Sequence, residues 1–430
     1  MNRILICTNH FYPESFRCND MAFELANRGY DVMVLTAIPD YHKGKYFDGY
    51  GVFRRRRETV KGVKVIRGFI IPRGKGGGVR LLLNYLSFFI SSVILSIYLG
   101  LFKRFDQVIV HETSPVMIGV PGVIVKKLQR IQMLFWVLDL WPESLQAAGG
   151  INNRHVLGMF ESLTKWIYRN SDIIMMSSKE FETSILKKGD FCNKLVYFPN
   201  WADKAMSTID NSQRAMGNFI LPEGFIVMFA GNMGEAQDFD HIMETALMLQ
   251  SEKEINFVFV GDGRKRPWVE SFVDEHHLHD TVHWLGRHPI EAMPSFFERA
   301  DVMLMTLKDV EIFNLTAPAK LQAYMSAAKP ILAMMNGEGP RIIDEAQCGI
   351  TVPAGDSKGL ADAILRLSKM DKAVLAEMGA HGREFQKAHF DLEKSINHLC
   401  EIMEEKFKPQ EEKNDVVSYG QTAYVAGSGE

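Results

Sequence analysis

At 430 residues, 47% of them apolar and 23% charged, the chain is long enough for two hydrophobic cores and too apolar to be disordered. Its net charge of −3 conceals an asymmetry: residues 1–200 hold 27 Lys and Arg against 16 Asp and Glu, and the remainder holds 22 against 36. A basic first half suits an anionic surface, but no recognised motif or basic–aromatic platform points to nucleic acid. The five cysteines (7, 18, 192, 348 and 400) are scattered without metal-ligand spacing, which fits a reducing, cytoplasmic compartment. The opening apolar run is too short for a signal peptide.

ILICT (4–8) reads as a first strand, and in the loop that follows, HFYPESFRCND, Pro13 argues against helix. MAFELANR has helical spacing, Gly29 stops it, and VMVLT is the next strand. Arg54–Arg57 is the densest basic run, read as a solvated loop or as part of an anionic-surface contact. Further strands are expected at 63–67, 107–111, 133–138, 172–176 and 194–198. Residues 81–102, LLLNYLSFFISSVILSIYLGLF, carry no charge and are long enough to span a bilayer. Spanning would separate residues 1–80 from 105–200, whose strands are expected in one sheet. The segment is therefore expected to be buried in the core, re-entrant, or laid in a membrane surface. Arg73, Lys75 and Arg80 before it, with Lys103 and Arg104 after it, favour an anionic lipid interface.

The pattern restarts after a polar stretch near 203–222. FIVMFA, INFVFVG, VHWLG, DVMLMTL and PILAMM read as strands, separated by helices such as HIMETALMLQ and KLQAYMSAA. Alternating strands and helices imply parallel sheets. The expected fold class is α/β, with two Rossmann-like doubly wound domains facing across a cleft. The first covers 1–205 and the second 206–385. A helix at 386–405 can cross back to the first domain, and the aperiodic residues 406–430 read as a tail.

Open α/β sheets bind ligands at the carboxyl ends of their strands. There QMLFWVLDLWPESL ends an apolar strand in Asp139, Trp141, Pro142 and Glu143, two carboxylates and an indole. In FAGNMGEAQDFD, Gly231 and Gly234 separate a strand from a helix, as a phosphate-approaching loop or merely a tight turn requires. Asp238 and Asp240 read as helix-start residues rather than metal ligands. In GDGRKRPW, Arg264, Lys265 and Arg266 could neutralise a diphosphate or form a solvated helix start. Lys320 lies early in a helix, where the dipole disfavours it, which hints at a ligand anion. Gln322 could bond a ribose hydroxyl or be a plain polar helix residue. Glu338, between Gly337 and Gly339, could accept hydrogen bonds from a sugar or nucleotide or sit in a turn. In FPNWAD, Asn200 and Trp201 fall near the interdomain junction. No serine–histidine–acid order or HExxH pattern is present.

Taken together, YPESFRCND, GYGVF, IPRGKGGG with NYLSF, WVLDLWPES, YFPNWAD, FAGNMGEAQDFD, VGDGRKRPW, LGRHP, PAKLQAYMSAAKPI and NGEGPRII form an ordered series. The series resembles family-4 glycosyltransferases of the GT-B fold, in particular the L-fucosamine-transferase-like branch of bacterial surface polysaccharide assembly, over about residues 1–405. The resemblance implies retaining transfer of an N-acetylated hexosamine or 6-deoxyhexosamine from a UDP-sugar. The implied acceptor is an undecaprenyl-diphosphate-linked saccharide at the inner face of the cytoplasmic membrane, in O-antigen, capsule or exopolysaccharide synthesis. No metal or other cofactor is implied. Asp139 would face the donor sugar and acceptor, with Glu143 orienting it. Asn232, Gly234, Gln237, Gly263, Arg264, Lys265, Arg287, Lys320, Gln322, Glu338 and Gly339 would bind the donor. Arg17, Asn19, Trp141 and Asn200 would line the acceptor side. One departure stands out: the glutamate pair that many members carry eight residues apart falls on Leu315 and Ala323 here, which leaves ribose recognition to Gln322. Two competing readings are a GT-B-fold UDP-sugar 2-epimerase, which needs no membrane surface, and a catalytically silent assembly scaffold, which the missing glutamates suggest.

Overall fold

The computed structural model describes residues 2–41, 43–74, 78–202 and 221–404. The expected domain boundary at 205, the expected tail at 406–430 and Lys75 lie outside the described residues. The first sheet contains β1 (Arg3–Thr8), β2 (Asp31–Ala37), β3 (Arg57–Val60), β4 (Val63–Gly68), β5 (Gln107–Glu112), β6 (Gln132–Val137), β7 (Ile173–Met176) and β8 (Leu195–Tyr197). Their order is β3-β4-β2-β1-β5-β6-β7-β8, parallel except for β3, which pairs antiparallel with β4. The second sheet contains β9 (Phe225–Asn232), β10 (Ile255–Asp262), β11 (Val282–Gly286), β12 (Val302–Thr306), β13 (Ile331–Met334) and β14 (Gly349–Val352). Its order is β11-β10-β9-β12-β13-β14, all parallel.

Central strands such as β1 and β9 are near-continuous apolar runs because helices cover both faces of each sheet. Ile4 to Cys7 and Val227 to Phe229 are completely buried as a result. Strand order reverses between β1 and β5 and again between β9 and β12. Loops leaving neighbouring strands diverge at such switch points, and the crevices they leave are where ligands bind.

In the first domain the structure revises one expectation and narrows another. The arginine run is not a free loop throughout, since Arg57 opens the edge strand β3. The uncharged segment forms one continuous helix, Gly78–Phe102, and that helix is neither a core helix nor a re-entrant pair. It turns Asn84, Phe88, Ser92, Ser96, Leu99 and Gly100 inward. Outward it presents Val79, Leu82, Leu83, Leu86, Ile90, Ile94, Ile97 and Leu101, each 40–75% exposed. Spacings of three and four place these residues on one face. The helix is held by its polar side. Ser91 donates to the Phe69 carbonyl at 2.7 Å, and Ser87 accepts the Ile71 N–H at 2.8 Å.

The chain finally crosses back. The helix Leu392–Glu404 buries Ile396, Leu399, Ile402 and Met403 against Trp136, Phe198 and Trp201 of the first domain. The Gln107 amide donates to the Met403 carbonyl at 2.5 Å, and the Ala202 N–H to the Phe390 carbonyl at 3.1 Å.

Candidate active site

The apolar run of strand β6 ends one residue past it, at Leu138, and the chain turns through Asp139 into the helix Glu143–Gly149. Asp139 accepts a hydrogen bond from the Ser144 hydroxyl on one oxygen and from the Trp141 indole on the other, the latter at 3.3 Å. Burial raises the Asp139 pKa above its ordinary value, against the opposing pull of Ser144, Ser114 and Trp141. Glu143 turns elsewhere: its Oε1 takes the Ser184 hydroxyl at 2.8 Å and the Lys188 ammonium. Ser144, the next residue, is the one that holds Asp139.

Across the cleft, β9 runs into a 3-10 turn, Glu235–Gln237, and then the helix Phe239–Met248. The Thr306 hydroxyl fixes this turn by donating to the Gln237 carbonyl at 2.5 Å. Lys320, at the start of the helix Ala319–Ser326, donates to the Gln237 side-chain oxygen and lies 3.7 Å from the centre of the Phe229 ring. Burial lowers the Lys320 pKa to about 7. Asp139, Gln237 and Lys320 thus share one cleft of about 460 Å³, with Leu138, Ser144 and Ala147 on the first-domain wall. Its second-domain wall is chiefly apolar, formed by Ala236, Met305, Leu307, Ile312, Phe313, Pro318 and Ala319. The volume suits a small-molecule site.

The other expected site residues are placed as follows. Arg264 and Arg287 are exposed on the loops after β10 and β11, and Asn232 is exposed at the end of β9. Gly234 is half-buried just before the 3-10 turn. Lys265 pairs with Asp240 at 2.7 Å and lies over Trp268, 4.0 Å from the ring centre. Gly263 brings two loops together, since a Cβ there would lie 2.3 Å from the Met233 carbonyl oxygen. Glu338 is fully buried, with both oxygens held by Arg341 at 2.6 and 2.9 Å. Gly339 is buried beside it, against Met335. Gln322 is 2% exposed and lies outside the cleft, its amide oriented so that the nitrogen donates to the carbonyls of Pro318 (3.2 Å) and Ala319 (3.0 Å).

On the first domain, Arg17 opens the helix Arg17–Asn27. Asn19 braces the preceding loop, accepting from the Tyr12 N–H at 3.1 Å and donating to the Glu14 carbonyl at 2.6 Å. Asn200 is half-buried beside Trp201, which stacks on Trp136 and donates to Asp20 at 3.2 Å. Sequence reasoning missed Ser144, Thr306, the apolar wall and Glu112. Glu112 lies fully buried at the end of β5, where its Oε2 accepts the N–H groups of Leu138 (3.3 Å) and Asp139 (3.1 Å).

Residues 224–370, which include β9 to β14 and the Gln237–Lys320 pair, match the family Glycosyl transferases group 1. The second domain is a glycosyl transferases group 1 domain. Through that group 1 domain the chain is a transferase. Over 315 residues it is 28% identical to the probable glycosyltransferase WbjE of Pseudomonas aeruginosa, covering 71% of this chain and 77% of that protein. Over 297 residues it is 24% identical to the putative colanic acid biosynthesis glycosyl transferase WcaI of Escherichia coli, covering 67% and 72%. Among solved structures, sucrose-phosphate synthase from Thermosynechococcus elongatus superposes with a TM-score of 0.71 at 17% identity, covering 94% of this chain and 98% of that one. Anabaena HepE in complex with UDP and glucose gives 0.65 at 14% identity, covering 94% and 99%. The lipopolysaccharide glycosyltransferase WaaG gives 0.64 at 14%, covering 93% and 99%. The fold is GT-B, with the group 1 domain forming its second half.

Proposed function

We propose that this chain is a retaining glycosyltransferase. It moves a sugar from a UDP-sugar to an undecaprenyl-diphosphate-linked saccharide in bacterial surface polysaccharide synthesis. The observation that carries the reading is the pairing across one cleft of the Asp139 carboxylate with Lys320 at a helix start. As the bond between the anomeric carbon and the UDP oxygen breaks, negative charge builds on the diphosphate, and the Lys320 ammonium and the helix N-terminus stabilise it there. Positive charge builds on the sugar, which Asp139 faces. Retention needs the acceptor oxygen to arrive on the face that UDP leaves. With a lysine to meet the leaving group, no metal or other cofactor is needed.

The apolar wall supports an N-acetylated or 6-deoxy sugar as donor. A methyl group fills such a wall, whereas a hydroxyl would lose its hydrogen bonds to water against it. The names of WcaI and WaaG support the polysaccharide context, and the HepE complex supports UDP. The outward face of the helix Gly78–Phe102 supports work at the cytoplasmic face of the membrane. Arg80 near its start and Lys103 and Arg104 just past its end are exposed, so that face comes with a cationic flank. Leu128 packs on Gly100 of the helix, and beside it Lys127 lies over the half-exposed Trp166.

The test begins with thermal stability in UDP, GDP and EDTA. At about 100 times Kd, UDP adds about 2.7 kcal/mol, with EDTA making no difference. A panel of UDP-sugars with a polyprenyl-diphosphate-linked saccharide then gives a glycosylated lipid. Epimerised free UDP-sugar formed without acceptor would replace this reading with the epimerase, and UDP binding without turnover of any donor would leave the scaffold.

A further inference from the structure

We propose that Glu112 is the positioning residue for Asp139: its carboxyl clamps the two peptide N–H groups that lead into Asp139 and so fixes that side chain against the cleft. The inference rests on the glycosyltransferase reading above, because Asp139 takes its chemical role from it.

The need for a clamp follows from the strand register. β5 and β6 pair in parallel from Gln107↔Gln132 to Glu112↔Val137, and there β5 ends. The next two N–H groups, on Leu138 and Asp139, have no strand left to donate to, and buried backbone donors without partners are costly. Glu112, the last residue of β5, supplies the missing acceptor by bending one oxygen over both of them. One carboxyl therefore prolongs the ladder by two residues into the loop that carries Asp139, Trp141 and Ser144.

The charge of the pair divides by the same geometry. Two adjacent buried carboxyls do not both ionise cheaply. Asp139 receives side-chain donors from Ser144 and Trp141 and opens onto the cleft. Glu112 receives only the two peptide groups, and its other oxygen is buried with no partner among the described residues. Burial, then the charge of Asp139, hold the Glu112 pKa well above the ordinary carboxyl range. Tyr168, fully buried on the helix Arg154–Asn170, also faces this pair, and burial first, then the carboxyls, keep its hydroxyl protonated. His111, the preceding residue of β5, bonds Thr8 at 3.1 Å, and burial keeps its imidazole neutral. Burial and the neighbouring Asp139 thus favour the neutral form of Glu112, and the side-chain donors of Ser144 and Trp141 favour the negative charge on Asp139.

The test compares Glu112→Gln, Glu112→Asp, Glu112→Ala and Asp139→Asn in the full chain. Gln keeps the length and the accepting oxygen without a charge; Asp keeps the carboxyl but falls one methylene short. Expected are kcat within about threefold and an unchanged pH profile for Gln, and a loss of about 10²-fold in kcat for Ala, the scale of a 1 Å misplacement. Asp falls between the two. Donor KM and stabilisation by UDP stay put in all three Glu112 variants, because the donor loops belong to the other domain. Amide exchange at Leu138 and Asp139 accelerates in Ala but not in Gln. A Gln variant as inactive as Asp139→Asn, or an Asp variant better than Gln, would show that the charge of Glu112 is itself used, which overturns the clamp. Wild-type kcat in the Ala variant overturns it too. Should Ala not fold, the order of Gln and Asp still decides. If the wild type turns over no UDP-sugar, the functional reading fails instead, and amide exchange tests the clamp on its own.

Discussion

The two domains that wall the cleft fix their loops by different means. On the first domain, carboxyls do the fixing: Glu14 accepts the N–H groups of Asp40 (2.9 Å) and Tyr41 (2.7 Å), and Glu112 accepts those of Leu138 and Asp139. On the second domain, close backbone approach and lysines do it. At Gly337 the chain turns with φ of +82°, and a Cβ there would lie 2.0 Å from the Asn314 carbonyl oxygen. Lys320 then reaches the 3-10 turn from the opposite side. A sugar between these walls has a carboxylate on one side and an ammonium on the other. That is the polarity that separation of an oxocarbenium-like sugar from a diphosphate requires. The difference teaches that either wall can be disabled without dismantling the other.

The largest effect is expected from the carboxylate wall. Asp139→Asn should lower kcat by about 10³-fold while leaving UDP stabilisation intact. Loss of UDP binding in that variant would break the division of labour. Lys320→Ala comes next, with about 10²- to 10³-fold lost in kcat and a weaker donor KM. Its pH dependence sharpens the point. A diphosphate binds the ammonium form, and burial places the lysine pKa at about 7 in the free protein. UDP affinity should therefore be full below about pH 7 and fall as pH rises through it, a fall that calorimetry detects and that Lys320→Ala abolishes. A smaller and separate effect is expected at the outward helix face. Ile90→Asn with Ile94→Asn should lower partitioning into phosphatidylglycerol vesicles about tenfold or more and leave soluble-donor binding unchanged. The smallest effect belongs to Gln322→Ala. Its side chain bonds its own helix start, so donor KM should stay within about twofold, while stability falls by about 1 kcal/mol in a denaturant titration. A large KM change would put Gln322 back at the ribose.

Much of this was legible in the residues. Strands expected at 107–111 and 133–138 are found at Gln107–Glu112 and Gln132–Val137, because buried parallel strands are apolar runs that polar loops cut off sharply. Asp139, Gln237 and Lys320 were readable because each lies where a regular element meets the carboxyl edge. β3 was not, since RETV has the charges of an edge strand and looks like the loop before it. The helix Arg17–Asn27 begins four residues ahead of the expected MAFELANR segment, because Cys18 and Asn19 are buried despite their loop-like neighbours. Length alone could not say which face of residues 78–102 turns inward. The inward seam mixes Asn84, Ser92 and Ser96 with Phe88 and Leu99, and Asn84 with the half-buried Ser87 and Ser91 bonds the backbone around residues 69–71. Glu143, Gln322 and Glu338 show the limit at the site. A sequence places a carboxylate or an amide, but the Lys188 that takes Glu143 comes from 45 residues away, while Gln322 and Glu338 are taken up by helix neighbours three or four residues off, whose local bonds compete with any ligand. Glu112 was hidden for the opposite reason, as one more residue of a strand.

The helix Leu392–Glu404 has a consequence for how the molecule is made. It completes the core around Trp136, Phe198 and Trp201, yet it is synthesised some two hundred residues after the last strand of that core. The first domain to leave the ribosome is therefore the last to be finished, and until then it exposes an apolar groove of its own. Cutting the chain between the two sheets cannot yield two independent halves, because one half keeps the other's closing piece.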